Sequence, residues 1–386
     1  MSLKLSKMYV LSLYVALIGQ ACMFIGLPFQ IDLLTTLGTY SIVGAALLSL
    51  FIWFVNNDGV GWGKLLFVVL TAFTVISILF SGKLSYTTFV KVVTFLELPI
   101  FLLTADKIKS KAAKNIVYAF NMAYPALFGA LLASPMSHRY FSEYGIVTHE
   151  NITLGYGNPN EASIYMMLNF IILFAGAFKF KAWYLKLICL IESAFMGYLV
   201  FLTDCRAAII VVVSVALMSI VFKRIRLYRP VLWIVFAVPI FFFFAMRWVP
   251  DLIVWGDALD TGRSELYRVV FEQLDFGKII LGDFNTFALN NLHNALLSVF
   301  ASLGLVCVLV FTVILFLQTK SLGKTVAIKE RKVLLLGVLA VVVHSSVEAA
   351  VLVAGTAYAA SFFTLHYLCI DDSEAIEDIT NENIAH

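Results

Sequence analysis

Arg206 stands where an apolar membrane helix would usually avoid charge. It opens the uncharged run from Ala207 to Phe222, and Asp204 precedes it by two residues. An arginine within a span costs about 2.5–3.5 kcal/mol at the bilayer centre and less near the interface. Two interpretations follow: the side chain reaches lipid headgroups beside Asp204, or it holds an anionic ligand at the membrane surface.

Arg263 is the second basic residue in a position suited to anion binding. Apolar residues recur after it at helical spacing, namely Leu266, Val269, Val270 and Leu274. They predict a short amphipathic helix with Asp260 or Thr261 as N-cap and Arg263 in its first turn. The helix dipole, the free N–H groups and the guanidinium fork together favour phosphate. The alternative is a solvated arginine paired with Glu265 or Asp260. Arg268 falls on another face and is expected to point to solvent.

His293 begins an apolar run in the string NNLHNALLSVFASLGLV, Asn290 to Val306. An imidazole at that depth can act as a base or as a hydrogen-bond donor near neutral pH. A lone histidine at an interface is more often structural. This histidine nevertheless lies in a polar cluster with three asparagines, which makes the cluster a candidate site. They are Asn290, Asn291 and Asn294.

Two further groups of polar residues stand at the ends of apolar runs or within them. In the string GNPNEAS, Asn158 and Asn160 flank a proline, so they either cap the following helix or present amides to sugar hydroxyls. His344 and Glu348 are four residues apart in a predicted span and are expected on one helical face. Such a pair is a functional candidate, and it can equally join neighbouring helices.

No pattern for a metal or cofactor site is found. The five cysteines are scattered through the chain, mostly in apolar runs. No glycine-rich phosphate loop, HExxH motif or zinc-binding spacing occurs, so neither a metal nor a cofactor is expected.

Composition places these residues in a membrane. Of the 386 residues, 61% are hydrophobic and 13% are charged, whereas soluble domains are nearer half apolar and a quarter charged. The net charge of +3 is too small to indicate a nucleic-acid partner. We therefore expect an all-α polytopic membrane protein with the lipid bilayer as a partner.

Twelve apolar runs approach the roughly 20 residues that cross a bilayer. They are centred on 8–26, 37–55, 65–80, 88–104, 115–133, 161–178, 185–202, 206–222, 231–247, 294–318, 333–352 and 355–370. The last two are joined so tightly that they could form one re-entrant element. A single transmembrane domain over 1–370 is predicted.

The distribution of basic residues predicts an orientation. With the N-terminus in the cytoplasm, 19 of the 27 basic residues fall in inner loops, as the positive-inside rule requires. Both termini are then cytoplasmic, and the acidic tail 371–386 is a short disordered end. Two long segments lie outside, 134–160 and 248–293, the second before the tenth span. Long loops within a compact protein are commonly functional.

Four strings resemble, in order, motifs of the O-antigen polymerase and O-antigen ligase superfamily. They are GNPNEAS (Gly157 to Ser163), TDCRAA (Thr203 to Ala208), GRSELYRVVFEQL (Gly262 to Leu274) and LHNALLSVFASLGLVCVLVF (Leu292 to Phe311). Two departures occur. Asp204–Cys205 replaces the usual hydroxyl residue before the arginine, and LGDF, Leu281 to Phe284, lacks the second glycine of the usual Gly-x-Gly.

The resemblance implies a metal-independent glycosyltransferase of the GT-C-like membrane type in the inner membrane of a bacterium. It would polymerise undecaprenyl-diphosphate-linked oligosaccharide repeat units into O-antigen or capsular polysaccharide at the outer face, with a chain-length regulator protein as a further partner. Arg206 and Arg263 would meet there, bind the diphosphate and stabilise its developing charge. His293 would orient or deprotonate the attacking hydroxyl. The other expected substrate contacts are Asn158, Asn160, Asn294, His344 and Glu348.

Other functions remain open. An O-antigen ligase would transfer the finished glycan to lipid A-core, and a related branch glycosylates protein. A lipid-linked oligosaccharide flippase belongs to a different class and would place cations through the depth of a central cavity. The polymerase is favoured because divergent, Phe-rich chains with only the loose motifs are typical of that branch.

Overall fold

The structure is a computed structural model of the chain. It describes residues 3–56, 61–82, 85–134, 138–143, 146–157, 159–221, 231–237, 263–290, 292–322, 329–346, 348, 350–354 and 356–370.

Helices make up almost all of the described chain. The first eight are α1 (Leu3–Phe29), α2 (Asp32–Val55), α3 (Trp62–Phe80), α4 (Tyr86–Thr104), α5 (Lys111–Leu132), α6 (Pro159–Lys179), α7 (Trp183–Leu202) and α8 (Arg206–Val221). The later ones are α9 (Arg263–Gln273), α10 (Phe276–Leu281), α11 (Phe284–Phe287), α12 (Ala295–Leu322), α13 (Lys329–His344) and α14 (Thr356–Cys369). Smaller pieces are a 3-10 turn at Ala105–Lys107, a helical stretch at 231–237 and a π-helix at Ala350–Ala354.

Among the described residues, eight helices are long and apolar enough to cross a membrane, namely α1 to α7 and α12. They coincide with eight of the twelve predicted spans and show a helical, multi-pass membrane protein. α8, with 16 residues, is a shorter apolar helix. α13 and α14, with 16 and 14 residues, are also shorter than the predicted spans, and the ninth predicted span is described only at 231–237.

A β-hairpin departs from the all-α prediction. Its strands are β1 (His138–Glu143) and β2 (Ile146–Ile152), which pair antiparallel with an irregularity between Phe141 and Ser142. The hairpin lies between α5 and α6, inside the predicted outer loop 134–160. Because that segment carries no span-length apolar run, hydropathy could locate the loop without predicting its strands.

Contacts between helix ends show how the bundle is ordered. Near the start of α13, Lys332 Nζ donates to the Ser219 carbonyl at 3.3 Å, and Glu330 pairs with Lys179 at 3.9 Å. The start of α13 therefore lies beside the last turns of α6 and α8, and α13 runs antiparallel to both. We call this end of the bundle the inner end and the opposite one the outer end, following the predicted orientation.

α6 and α14 occupy the centre of the bundle, since most of the residues of α6 and all the described side chains of α14 are buried. α7 lies at the periphery and exposes large apolar side chains such as Trp183. Polar side chains join the central helices: Asn169 Nδ2 donates to Asn121 Oδ1 at 2.9 Å, and Gln20 Nε2 donates to Ser361 Oγ at 2.7 Å. Such hydrogen bonds help membrane helices associate, because lipid provides no hydrophobic driving force between them.

α12 is broken at Gly304, which has φ 82°. A Cβ atom at Gly304 would overlap the carbonyl of Ile280, and one at Gly282 would overlap the backbone of Leu303. The α10–α11 segment therefore packs backbone to backbone against the break. The predicted tenth span, 294–318, is a broken helix whose first part is held by this contact.

Candidate functional site

Asn294 joins the start of α12 to the end of α13 at the outer end. Its Oδ1 accepts from Leu297 N at 3.0 Å, and its Nδ2 donates to the Ser346 carbonyl at 3.0 Å. Ala295 N donates to the Ser345 carbonyl at 2.8 Å. Asn294 is buried in this joint, so its amide positions the neighbouring residues of the chain rather than facing solvent as a predicted substrate contact would.

Glu348 lies behind His293. The Nδ1 atom of His293 and the Oε2 atom of Glu348 are 3.4 Å apart. The glutamate side chain is 5% exposed and the histidine side chain 35% exposed. A carboxylate at one ring nitrogen fixes the orientation and tautomer of an imidazole. This pair is the central feature of the candidate site.

His344 and Glu348, which were expected on one helical face, remain linked by the backbone, because Glu348 N donates to the His344 carbonyl at 3.0 Å. α13 ends at His344, and Glu348 lies beyond that end, before the π-helix. The chain must reverse between α13 and α14, and a straight helix cannot continue through the reversal. The reversal brings Glu348 to His293, while His344 stays buried in the bundle.

Tyr267 connects α9 to the histidine. Its hydroxyl donates to the His293 carbonyl at 3.4 Å, and the side chain is buried. Arg263 is the first residue of α9, one turn before Tyr267 and on the same helical face. The predicted short helix is confirmed. Arg268 is exposed, as expected from its position, and pairs with Glu272 at 3.0 Å.

Arg206 is exposed as the first residue of α8. Since α8 is antiparallel to α13, Arg206 lies at the outer end, where α12 begins. It forms no hydrogen bond or ion pair within the part of the chain that the structure describes, and Asp204 is exposed and not paired with it. The described part of the chain therefore leaves the guanidinium exposed at the outer end.

Lys91 is a cation near this site that sequence reasoning passed over. Its Nζ donates to the Ala288 carbonyl at 2.9 Å and to Asn290 Oδ1 at 3.0 Å. Ala288, Leu289 and His293 have φ values of 46°, 54° and 56°. Such conformations cost non-glycine residues about 1–3 kcal/mol each and cluster at functional sites. The sequence did carry a signal for Lys91, because a lysine inside an apolar span is costly and marks a functional candidate.

Parts of the predicted site lie outside the described residues. These are Asn158, Asn291, the caps Asp260 and Thr261, and the side chains of Arg263 and Glu265. Asn160 is in the first turn of α6, where Glu161 Oε2 accepts from Gly157 N at 3.2 Å. Glu161 thus caps the start of α6, and Asn160 lies beside it at the outer end.

Comparison with protein-family models, curated proteins and solved structures finds no match to this chain. Within the described residues, no three His, Cys, Asp or Glu side chains are grouped so as to hold a metal ion. The site is therefore interpreted from its own chemistry. Arg206 is exposed at the outer end, and the same end holds an imidazole that a carboxylate can support during proton transfer.

Proposed function

We propose that this chain is a metal-independent glycosyltransferase of the O-antigen polymerase type. It joins undecaprenyl-diphosphate-linked oligosaccharide repeat units at the outer face of the bacterial inner membrane, on a GT-C-like framework of about twelve spans. The observation that carries the proposal is the His293–Glu348 pair, which lies at the same end of the bundle as Arg206. The four sequence motifs support the same assignment.

The reaction requires a leaving group to depart with negative charge. The acceptor hydroxyl oxygen attacks the anomeric carbon of the donor, the bond from that carbon to the diphosphate oxygen breaks, and undecaprenyl diphosphate leaves with the electron pair. Arg206 and Arg263 bind this diphosphate. Cations aimed at developing charge commonly lower a barrier by about 3–4 kcal/mol.

The hydroxyl proton passes to the imidazole of His293 as the new glycosidic bond forms. Glu348 stabilises the resulting imidazolium, because its carboxylate lies 3.4 Å from Nδ1. Proton transfer by a positioned side chain contributes about 10²–10⁴-fold to a rate. The left-handed turn at His293 is called the histidine turn below. Tyr267 and Asn294 hold it in place through hydrogen bonds to backbone carbonyls.

Reconstitution tests the proposal. Purified protein in lipid vesicles receives the lipid-linked repeat unit isolated from the host strain, with no other protein present. The expected product is a ladder of glycans on undecaprenyl diphosphate, and a chain-length regulator added later changes only the length distribution. Folded protein that forms no ladder would overturn the proposal.

The products in a deletion strain separate the polymerase from a ligase. Loss of a polymerase leaves single repeat units attached to the carrier or to the core. Loss of a ligase leaves long chains on undecaprenyl diphosphate. Single units are expected, and accumulated long chains would favour the ligase.

A further inference from the structure

A polar cavity opens at the outer end, between the last turn of α3 and the α10–α11 segment. Its volume is about 270 Å³, just below the range of about 300–1,000 Å³ that is usual for drug-sized ligands. The lining side chains used below are Phe80, Lys278, Asp283 and Asn285. A cavity of this size suits a single sugar ring.

The cavity wall is held by hydrogen bonds to two longer helices. Ser81 Oγ, just after α3, accepts from Phe284 N at 3.1 Å. Asp283 N donates to the Ala301 carbonyl of α12 at 2.7 Å. The backbone of the short α10–α11 segment is thus fixed on both sides, which gives the cavity a rigid wall.

Lys278 and Asp283 form an ion pair of 3.0 Å on this wall. Partial burial alone would raise the pKa of Asp283, but hydrogen bonds from Lys278 and Thr286 outweigh burial and lower that pKa. The hydrogen bond and negative charge of Asp283 raise the pKa of Lys278. Both groups are therefore charged at neutral pH and cancel each other. A wall with fixed polar groups and no net charge suits neutral hydroxyls better than phosphate.

Phe80 and Asn285 provide the other contacts that a sugar needs. Phe80 is the last residue of α3 and is 55% exposed. Asn285 is exposed and makes no hydrogen bond to any residue that the structure describes. An aromatic ring packs on the C–H face of a sugar, and an amide can donate to one hydroxyl while accepting from another.

The cavity lies near the candidate catalytic residue. Asp283 contacts Ala301, which is six residues into α12 from Ala295. At the helical rise of 1.5 Å per residue, that contact is about 9 Å along the axis from the helix start, which follows His293 and Asn294. An oligosaccharide whose reacting sugar is at His293 can therefore reach the cavity with another sugar.

We propose that this cavity binds one sugar residue of the glycan substrate, away from the bond that is formed. The identity of the glycan rests on the proposed function. Phe80 would stack on the ring, and Asn285 with the Lys278–Asp283 pair would bind its hydroxyls.

Binding is measured on full-length protein in nanodiscs by saturation-transfer NMR. The probe is the oligosaccharide that mild acid releases from the host strain's lipid-linked repeat unit. Phe80→Ala and Asn285→Ala should each weaken binding about fivefold to tenfold, as expected for the loss of one contact. Phe80→Trp should retain it. Phe276→Ala is the matched control, because Phe276 is 78% exposed on the same segment and does not line the cavity.

Equal binding by the wild type, Phe80→Ala and Asn285→Ala would overturn the cavity assignment, and so would an absence of binding by the wild type. The ladder assay on the same proteins separates this failure from a failure of the proposed function. If the wild type forms a ladder but neither Phe80→Ala nor Asn285→Ala weakens binding, only the cavity assignment is overturned. A missing wild-type ladder overturns the proposed function and with it the assignment of the glycan as substrate.

Discussion

Glu348 is buried in a place where a carboxylate needs a partner. Its side chain is 5% exposed, and a carboxylate that is buried without hydrogen-bond partners is costly. His293 supplies that partner and receives a fixed ring orientation in return. The imidazole is 35% exposed and lies in a left-handed turn, and both observations support the proposed catalytic role of the pair.

His293 and Glu348 should behave as one unit in kinetics. His293→Gln and Glu348→Gln are each expected to slow elongation about 10²–10³-fold, because proton transfer to the ring is lost or its imidazolium is no longer stabilised. The double variant should be about as slow as the slower single variant, since residues that act together are not additive. Initial rates in vesicles measure this. If the double variant were instead slowed by the product of the two single effects, the two residues would act independently.

α9 offers a matched pair of arginines. Arg263 begins the helix, whereas Arg268 is exposed and paired with Glu272. Arg263→Ala should lower elongation at least about 10²-fold, and Arg206→Ala should do the same, because each removes a cation from the diphosphate. Arg268→Ala should leave elongation unchanged. Glycan gels at matched membrane protein levels report the result, and normal polymer from both Arg206→Ala and Arg263→Ala would reject the diphosphate site.

The residue types of the site could be predicted from sequence, but their partners could not. A charged or polar group in an apolar run is costly, so Arg206 and His293 were visible as exceptions. The contact between His293 and Glu348 joins residues 55 positions apart. That contact depends on where α13 ends and how the chain reverses, and hydropathy carries no information about either.

At the scale of the helix, the break in α12 at Gly304 lets the α10–α11 segment pack backbone to backbone against α12. The first part of α12 carries the joint to α13, and the α10–α11 segment packs against the break. Hydropathy predicted the eight long helices because an apolar run in lipid must satisfy its own backbone hydrogen bonds. It could not predict the break, because Gly304 lies in a continuous apolar run and its conformation is set by contacts with Gly282 and Ile280.

Gly304→Ala should destabilise the protein. A side chain there meets the Ile280 carbonyl and adopts a left-handed conformation, which alone costs about 1–3 kcal/mol. The expected result is a lower midpoint of thermal unfolding in detergent. Gly44→Ala is the control, because a Cβ at Gly44 has no neighbour within 4 Å and alanine favours a helix by about 1 kcal/mol. Equal midpoints for the two variants would show that the break is not held by this contact.

At the scale of the whole molecule, the two ends of the bundle carry different chemistry. The inner end gathers lysines into structural contacts, such as Lys179, which lies 4.1 Å from the Tyr118 ring centroid and pairs with Glu330. The outer end leaves Arg206 without such a contact among the described residues and holds the histidine turn. A substrate carried on a lipid diphosphate would meet the protein at the outer end, where its phosphates lie at headgroup level.

Thiol labelling tests this polarity in intact cells. The five native cysteines are buried or half-buried, so their background reaction with a membrane-impermeant maleimide should be low. Asn285→Cys places an exposed thiol at the outer end, and Lys181→Cys places one between α6 and α7 at the inner end. The first is expected to react in intact cells, and the second only after the membrane is opened, because basic loops remain in the cytoplasm. Labelling of Lys181→Cys but not Asn285→Cys in intact cells would place the histidine turn in the cytoplasm, out of reach of a carrier in the outer leaflet.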